Sequence, residues 1–77
     1  MKKLEILGTG CAKCNKLAEL TEQAARELGL EYELVKVTDI MEITQRGVLM
    51  TPGLVVDGVV KASGKLPTLD ELKGLIG

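Results

Sequence analysis

The first half of the chain alternates between strand-like and helical segments, and this order restricts the fold more than any other feature. The segment "KKLEIL" reads as a strand that ends at Gly8, and "LEYELVKV" reads as a second strand rich in β-forming residues. Between them, apolar and small residues recur at helical spacing from Cys14 to Leu28, and Gly29 suits the end of that helix. A strand–helix–strand unit makes a right-handed crossover, so the two strands are expected to be parallel neighbours.

The second half of the chain predicts a hairpin between two helices. In "GLVVDGVVKA", two apolar strands flank Asp57-Gly58, a pair that readily takes the positive φ angles of a two-residue hairpin turn. Before the hairpin, "TDIMEITQRG" predicts a short helix that begins after Thr38 or Asp39 and stops at Gly47.

The last segment, "LPTLDELKGLIG", carries the sequence signature of a helix start. Thr68 is suited to the N-cap, and Glu71 follows three residues later, as in a capping box. The predicted order is therefore βαβαββα. We expect an α/β fold with a four-stranded mixed sheet and helices on both faces, in which the first strand lies inside the sheet.

The length and composition of the chain limit both its core and its partners. The 77 residues, 1–77, are expected to form one domain, whose core must consist of Leu, Ile, Val and Ala because Tyr32 is the only aromatic residue. Ten basic residues nearly balance eleven acidic ones, and the sequence contains no basic patch. We therefore expect no nucleic-acid partner. No signal peptide is recognisable, and no apolar run approaches the roughly 20 residues that span a bilayer, so we expect no membrane partner and a cytoplasmic location.

The only two cysteines, Cys11 and Cys14, lie three positions apart in "GCAKC". Such a pair could form a structural disulfide, bind a metal or act in redox chemistry. A structural disulfide gains little from so short a loop and is uncommon in a reducing cytosol. A structural zinc site needs about four ligands, and the chain has no histidine, so only a dimer sharing two cysteine pairs could complete one. Redox chemistry is the favoured interpretation, and a metal- or metalloid-binding module is the alternative.

The position of the pair predicts different roles for the two thiols. Cys11 falls at or just before the first turn of the helix, where unpaired backbone N–H groups and the nearby Lys13 favour a thiolate. Cys11 is therefore expected to be the attacking nucleophile. Cys14 shares a helical side with Leu17 and Ala18 and is expected to be buried. It would then act second, resolving the mixed disulfide.

Small heavy-metal-binding domains of the copper-chaperone type also place a Cys-x-x-Cys pair after their first strand. Their pattern has Met and Thr before the first cysteine, where this chain has "GTG". They also follow the first helix with two consecutive strands and end on a strand, whereas this chain has one strand and then a helix, and ends on a helix. The order of elements therefore disfavours the metal carrier.

"CAKC" at the start of the first helix and "TP" before the hairpin together resemble the thioredoxin superfamily. The resemblance covers essentially the whole chain at the level of element order, and it implies a minimal thioredoxin-like α/β fold. It implies that Pro52 is cis and faces the cysteine pair, and that Thr51 contacts an extended substrate through its backbone. It also implies a role for Glu5, six positions before Cys11, as a buried carboxylate that accepts the proton of Cys14.

More narrowly, "GTGCAKC" with "TPGLVVDG" looks like the small, glutaredoxin-sized prokaryotic redox-active disulfide proteins. The chain departs from thioredoxins in having Gly10 in place of tryptophan and Ala12-Lys13 in place of Gly-Pro, and it lacks the double glycine of glutaredoxins. The resemblance implies a thiol–disulfide oxidoreductase that needs no cofactor. Its expected partners are protein disulfides and an upstream disulfide reductase.

Overall fold

The computed structural model describes residues 1–10 and 12–77. Within these residues the elements follow the predicted order βαβαββα: β1 (Lys2–Leu7), α1 (Ala12–Glu27), β2 (Tyr32–Val37), α2 (Ile40–Gln45), β3 (Gly53–Val56), β4 (Val59–Ser63) and α3 (Leu69–Ile76). The strands form a mixed sheet in the order β2-β1-β3-β4, with β1 parallel to β2 and antiparallel to β3. The predicted thioredoxin-like α/β fold, with the first strand inside the sheet, is confirmed.

The two faces of the sheet carry separate hydrophobic clusters, because side chains alternate along β1. Leu4 and Ile6 pack on one face with buried residues of α1 and α3, among them Leu17, Ala24, Leu72 and Ile76. Leu7 packs on the other face with Ile43 of α2 and with the buried Val48 that follows it. Helices therefore cover both faces, as predicted.

Helix α1 begins two residues earlier than the helical spacing predicted. The buried face starts at Cys14, and Ala12 and Lys13 are exposed, so the apolar pattern gave no signal for the first two residues. At the other end, the N–H of Gly29 donates to the carbonyl of Arg26 and the N–H of Leu30 to that of Ala25, both at 3.0 Å. This is the predicted glycine-terminated helix end. Leu28, which continues the spacing in the sequence, lies beyond the helix and is exposed.

Helix α2 is capped by Asp39 and not by Thr38. The Asp39 carboxylate accepts hydrogen bonds from the backbone N–H groups of Met41 and Glu42. Its three apolar residues do not all face the sheet, since Ile43 is buried whereas Ile40 and Met41 are largely exposed. The helix ends at Gln45, with Arg46 as its C-cap, just before the predicted stop at Gly47, which has a φ of 82°.

The hairpin and the last helix follow their local signals. Asp57 and Gly58 have φ angles of 49° and 84°, the positive values that the two-residue turn requires. In α3, Thr68 accepts from the Glu71 N–H while the Glu71 carboxylate accepts from the Thr68 N–H, which completes the predicted capping box. None of the helices in residues 1–10 and 12–77 combines the length and apolar character needed to cross a membrane.

Candidate active site

Cys14 lies in the first turns of α1 with its thiol directed toward the end of β1. The residue is only 4% exposed, because it starts the buried face that continues with Leu17 and Ala18. Its close neighbour is Gly8, the first residue after β1: a Cβ atom at Gly8 would overlap Sγ of Cys14 and lie 3.0 Å from its Cβ. The absence of a side chain at Gly8 therefore lets the sulfur approach the end of the central strand.

Cys11, the predicted nucleophile, lies outside the described residues. The structure does describe its flanks: Gly10 is exposed with a φ of 90°, and Ala12 is the first residue of α1. Lys13 is exposed in the first helical turn, next to Ala12. The nucleophilic role of Cys11 and the tuning role of Lys13 stay predictions.

Thr51, which precedes Pro52, lies near Cys14 beside Gly8. The Thr51–Pro52 peptide bond is cis, as the resemblance implied, and Pro52 is buried while Thr51 is exposed. The Cβ of Thr51 lies 3.8 Å from the position that a Cβ of Gly8 would occupy. Sγ of Cys14 would overlap an atom at that same position. The structure thus brings Cys14 and Thr51 together around Gly8.

Two hydrogen bonds from the end of the hairpin fix the backbone around Thr51. The Ser63 hydroxyl donates to the carbonyl oxygen of Met50 at 3.1 Å, and the N–H of Gly64 donates to the carbonyl oxygen of Pro52 at 2.8 Å. Because Met50 and Pro52 flank Thr51, both sides of this residue are tied to the end of β4 and the residue that follows it.

A small cleft beside Cys14 includes a lysine that the sequence analysis did not identify. Lys36 lines this cleft together with Cys14, Gly8, Asn15 and Thr38. Its place follows from the sheet register, because Lys36 lies opposite Ile6 in the parallel β1–β2 pair and so shares the face covered by α1. The sequence signal was its spacing of two residues from Leu34 in β2, which places both side chains on one face and becomes informative only once the register is known.

Glu5 is buried in the interior strand, as predicted, with 5% of its surface exposed. Its carboxylate Oε2 accepts a hydrogen bond of 2.7 Å from Nε of Arg46, which the sequence analysis did not identify. Glu5 alternates with Ile6 and so shares the face of Leu7, which α2 covers, whereas Cys14 belongs to α1 on the opposite face. The proton-acceptor role of Glu5 therefore stays a prediction.

The alternative function, a metal- or metalloid-binding module, requires several ligand side chains that lie close together. Among residues 1–10 and 12–77, no three His, Cys, Asp or Glu side chains lie close enough together to hold a metal ion. The metal- or metalloid-binding alternative stays a prediction.

Comparisons with known proteins agree with the fold. The sequence profile of the thioredoxin domain matches residues 2–77. A thioredoxin of Methanocaldococcus jannaschii is 45% identical over 73 residues, which cover 95% of this chain and 84% of that protein. A thioredoxin of Methanothermobacter thermautotrophicus is 37% identical over 76 residues, which cover 99% of both chains. The chain belongs to the thioredoxin family, a family of thiol–disulfide oxidoreductases.

Proposed function

We propose that this protein exchanges electrons with protein disulfides through Cys11 and Cys14. The observation that carries the proposal is the convergence of Cys14, Gly8 and Thr51 at the start of α1, in a chain of the thioredoxin family. Cys14 follows Cys11 by three residues in the chain, a spacing that suits attack by its thiol on the Cys11 sulfur of a mixed disulfide.

The reaction consists of two thiol–disulfide exchanges. The Cys11 thiolate attacks one sulfur of a substrate disulfide, the substrate S–S bond breaks, and the other substrate sulfur leaves as a thiolate that takes up a proton. Cys11 is now joined to the substrate in a mixed disulfide. The Cys14 thiol then loses its proton and attacks the Cys11 sulfur, which releases the second substrate thiolate. The substrate has gained two electrons, and the protein holds a Cys11–Cys14 disulfide.

The burial of Cys14 supports its assignment as the second thiol. A cysteine that is only 4% exposed is poorly accessible to a substrate disulfide in solution but can react with a neighbouring sulfur of the same protein. Lys36, which lines the cleft beside Cys14, provides a positive charge that favours the Cys14 thiolate during this step.

Thr51 supports the binding of an extended segment of the substrate. It is exposed next to Cys14, and the two residues before it, Leu49 and Met50, are 85% and 65% exposed. Exposed apolar side chains next to Thr51 in the chain suit a protein substrate better than a small polar disulfide. We therefore assign Thr51 and Pro52 to substrate binding.

The proposal requires a source of electrons and a compartment in which the cycle can run. An upstream disulfide reductase would return the Cys11–Cys14 disulfide to two thiols, and the chemistry of the cysteines alone needs no further cofactor. We place the protein in the cytoplasm, where a cysteine pair of this kind cycles between dithiol and disulfide.

The test is the reduction of insulin disulfides with dithiothreitol as the electron source. The wild-type protein should accelerate the reaction, and Cys11→Ser should abolish the acceleration, because it removes the attacking sulfur. Titration of the reduced protein with zinc and with copper(I) runs in parallel. Stoichiometric metal uptake without acceleration of insulin reduction would contradict the proposal and support the metal-binding alternative.

A further inference from the structure

A partly buried ion pair joins the interior strand β1 to the end of helix α2. Glu5 lies in the middle of β1, between Val35 of β2 and Val55 of β3, so its backbone is held on both sides. Its side chain is 7% exposed, and that of its partner Arg46 is 30% exposed. Burial of a carboxylate is costly unless it is paired, and the 2.7 Å bond from Arg46 Nε provides that pairing.

Arg46 is itself fixed at the C-cap of α2. Its backbone N–H donates to the carbonyl oxygens of Glu42 and Ile43, both at 3.2 Å, and its Nη1 donates to the carbonyl oxygen of Glu42 at 3.1 Å. The guanidinium therefore bridges the last turn of α2 and the interior of the sheet. Movement of Arg46 would move the start of the segment that follows it.

The segment of residues 47–52, here named the Thr51 loop, leads from Arg46 to the candidate active site. Val48 anchors its first part, since it is 1% exposed and its Cγ1 lies 2.8 Å from where a Cβ of Gly53 would be. The bonds from Ser63 and Gly64 anchor its last part to the end of β4. The ion pair supplies the anchor on the α2 side, directly before the loop.

We propose that Glu5 and Arg46 are positioning residues that hold the Thr51 loop in place for substrate binding. This inference rests on the proposed function, because it assigns the pair an effect on the substrate contact at Thr51. Replacing a buried ion pair by apolar residues often leaves stability unchanged or raises it. We therefore assign the pair a role in fixing the geometry of the Thr51 loop and not in the stability of the fold.

Glu5→Gln separates this role from proton transfer to or from Cys14. The amide oxygen of Gln can still accept the hydrogen bond from Arg46 Nε, but the amide cannot take up a proton at neutral pH. Glu5→Leu removes both capacities. A positioning role is rescued by Gln, and a proton-acceptor role is not.

The experiment measures kcat and KM of insulin reduction for Glu5→Gln, Glu5→Leu and the double variant Glu5→Leu/Arg46→Leu. The double variant leaves no unpaired buried charge, so it should fold, and circular dichroism verifies this.

We expect both Leu variants to raise KM about tenfold while kcat changes little, because a displaced contact weakens binding. Glu5→Gln should keep KM within about twofold of the wild type and leave the pH profile of kcat unchanged. Glu22→Gln/Arg26→Gln, which removes the exposed pair on α1, is the matched control and should leave KM unchanged.

Three outcomes would overturn the inference or separate it from the proposed function. An unchanged KM in the folded double variant would contradict the positioning role. Equal losses in Glu5→Gln and Glu5→Leu, with a shifted pH profile, would assign Glu5 to proton transfer instead. If the wild type does not reduce insulin, the proposed function fails, and amide hydrogen exchange then tests the pair by itself. Faster exchange at residues 48–51 in the double variant than in the wild type supports positioning, and equal exchange contradicts it.

Discussion

Gly8 and Cys14 occupy mutually dependent positions: the thiol of Cys14 fills the space that a side chain at Gly8 would take. Gly8 is also tied to the sheet, because its N–H donates to the carbonyl oxygen of Val37 at 2.9 Å. The backbone at Gly8 cannot retreat without losing this bond. The end of the central strand therefore fixes how close Cys14 comes to Thr51.

Gly8→Ala should displace Cys14 and impair both stability and disulfide reduction. Overpacking of a close contact costs about 1–3 kcal/mol, so we expect the free energy of unfolding to fall by about that amount. The rate of insulin reduction should fall together with it, because the displaced thiol resolves the mixed disulfide more slowly. Urea unfolding and the insulin assay measure the two effects.

Gly74→Ala is the matched control for this variant. Gly74 lies inside α3, and a Cβ there meets no atom within 4 Å apart from its chain neighbours and the backbone of its own helix. Alanine is favoured over glycine in a helix by about 0.5–1 kcal/mol, so this variant should be more stable than the wild type with unchanged activity. Equal behaviour of Gly8→Ala and Gly74→Ala would show that the contact between Gly8 and Cys14 has no influence on either property.

Lys36→Met should reduce the reactivity of Cys14. The variant removes the positive charge that lines the cleft beside the thiol. In a Cys11→Ser background, iodoacetamide should alkylate Cys14 about two- to fivefold more slowly at pH 7, the size expected for a partly exposed charge interaction. Lys36→Arg keeps the charge and should stay close to the parent rate. If Lys36→Met reacts as fast as Lys36→Arg, the charge of Lys36 has no influence on the reactivity of Cys14.

Lys13→Glu should slow the alkylation of Cys11 at pH 7, measured in a Cys14→Ser background. Lys13 is exposed in the first turn of α1, two residues after Cys11, and reversal of its charge disfavours a nearby thiolate. We expect a decrease of about threefold, because the interaction is exposed to solvent. Lys2→Glu, at the opposite end of β1, should have no effect, and an equal decrease in both variants would point to net charge alone.

Acid should destabilise the protein through two carboxyls of the helices. A hydrogen bond from Lys73 lowers the pKa of Glu27, and the backbone N–H of Thr68 lowers that of Glu71. Both carboxyl groups release protons more readily in the folded state than in the unfolded state. Their contribution to the stability of the folded protein is therefore present above the pKa of an unperturbed Glu, about 4.3, and is lost as the pH falls below it. Thermal unfolding between pH 7 and 3 should show a smaller acid-induced decrease in Tm for Glu27→Gln/Glu71→Gln than for the wild type. An identical decrease in both proteins would contradict this contribution.

The features that were predicted correctly are those encoded by neighbouring residues. The Asp57-Gly58 turn, the capping box of Thr68 and Glu71, and the helix end at Gly29 each depend on a few adjacent positions. The burial of Cys14 followed from helical spacing. The order of elements then determined the sheet, because a right-handed crossover and a hairpin leave few alternatives.

The features that were missed depend on contacts between distant segments. Arg46 pairs with Glu5 across 41 residues, and nothing in the local sequence of either residue indicates the other. Lys36 reaches the cleft only because β2 pairs with β1 in one particular register. Ile40 and Met41 carry an apolar pattern, yet a six-residue helix lying on a sheet buries little besides Ile43.

The central claim is that Cys11 attacks and Cys14 resolves, and trapping of the mixed disulfide tests it most directly. Reduced Cys14→Ser and Cys11→Ser proteins are mixed with a disulfide-containing protein, quenched with acid, and analysed by intact-protein mass spectrometry. Cys14→Ser should accumulate a covalent complex with the substrate, because Cys11 still attacks and no second thiol releases it. Cys11→Ser should yield little complex, because the remaining thiol is buried. A complex with Cys11→Ser and none with Cys14→Ser would contradict the account.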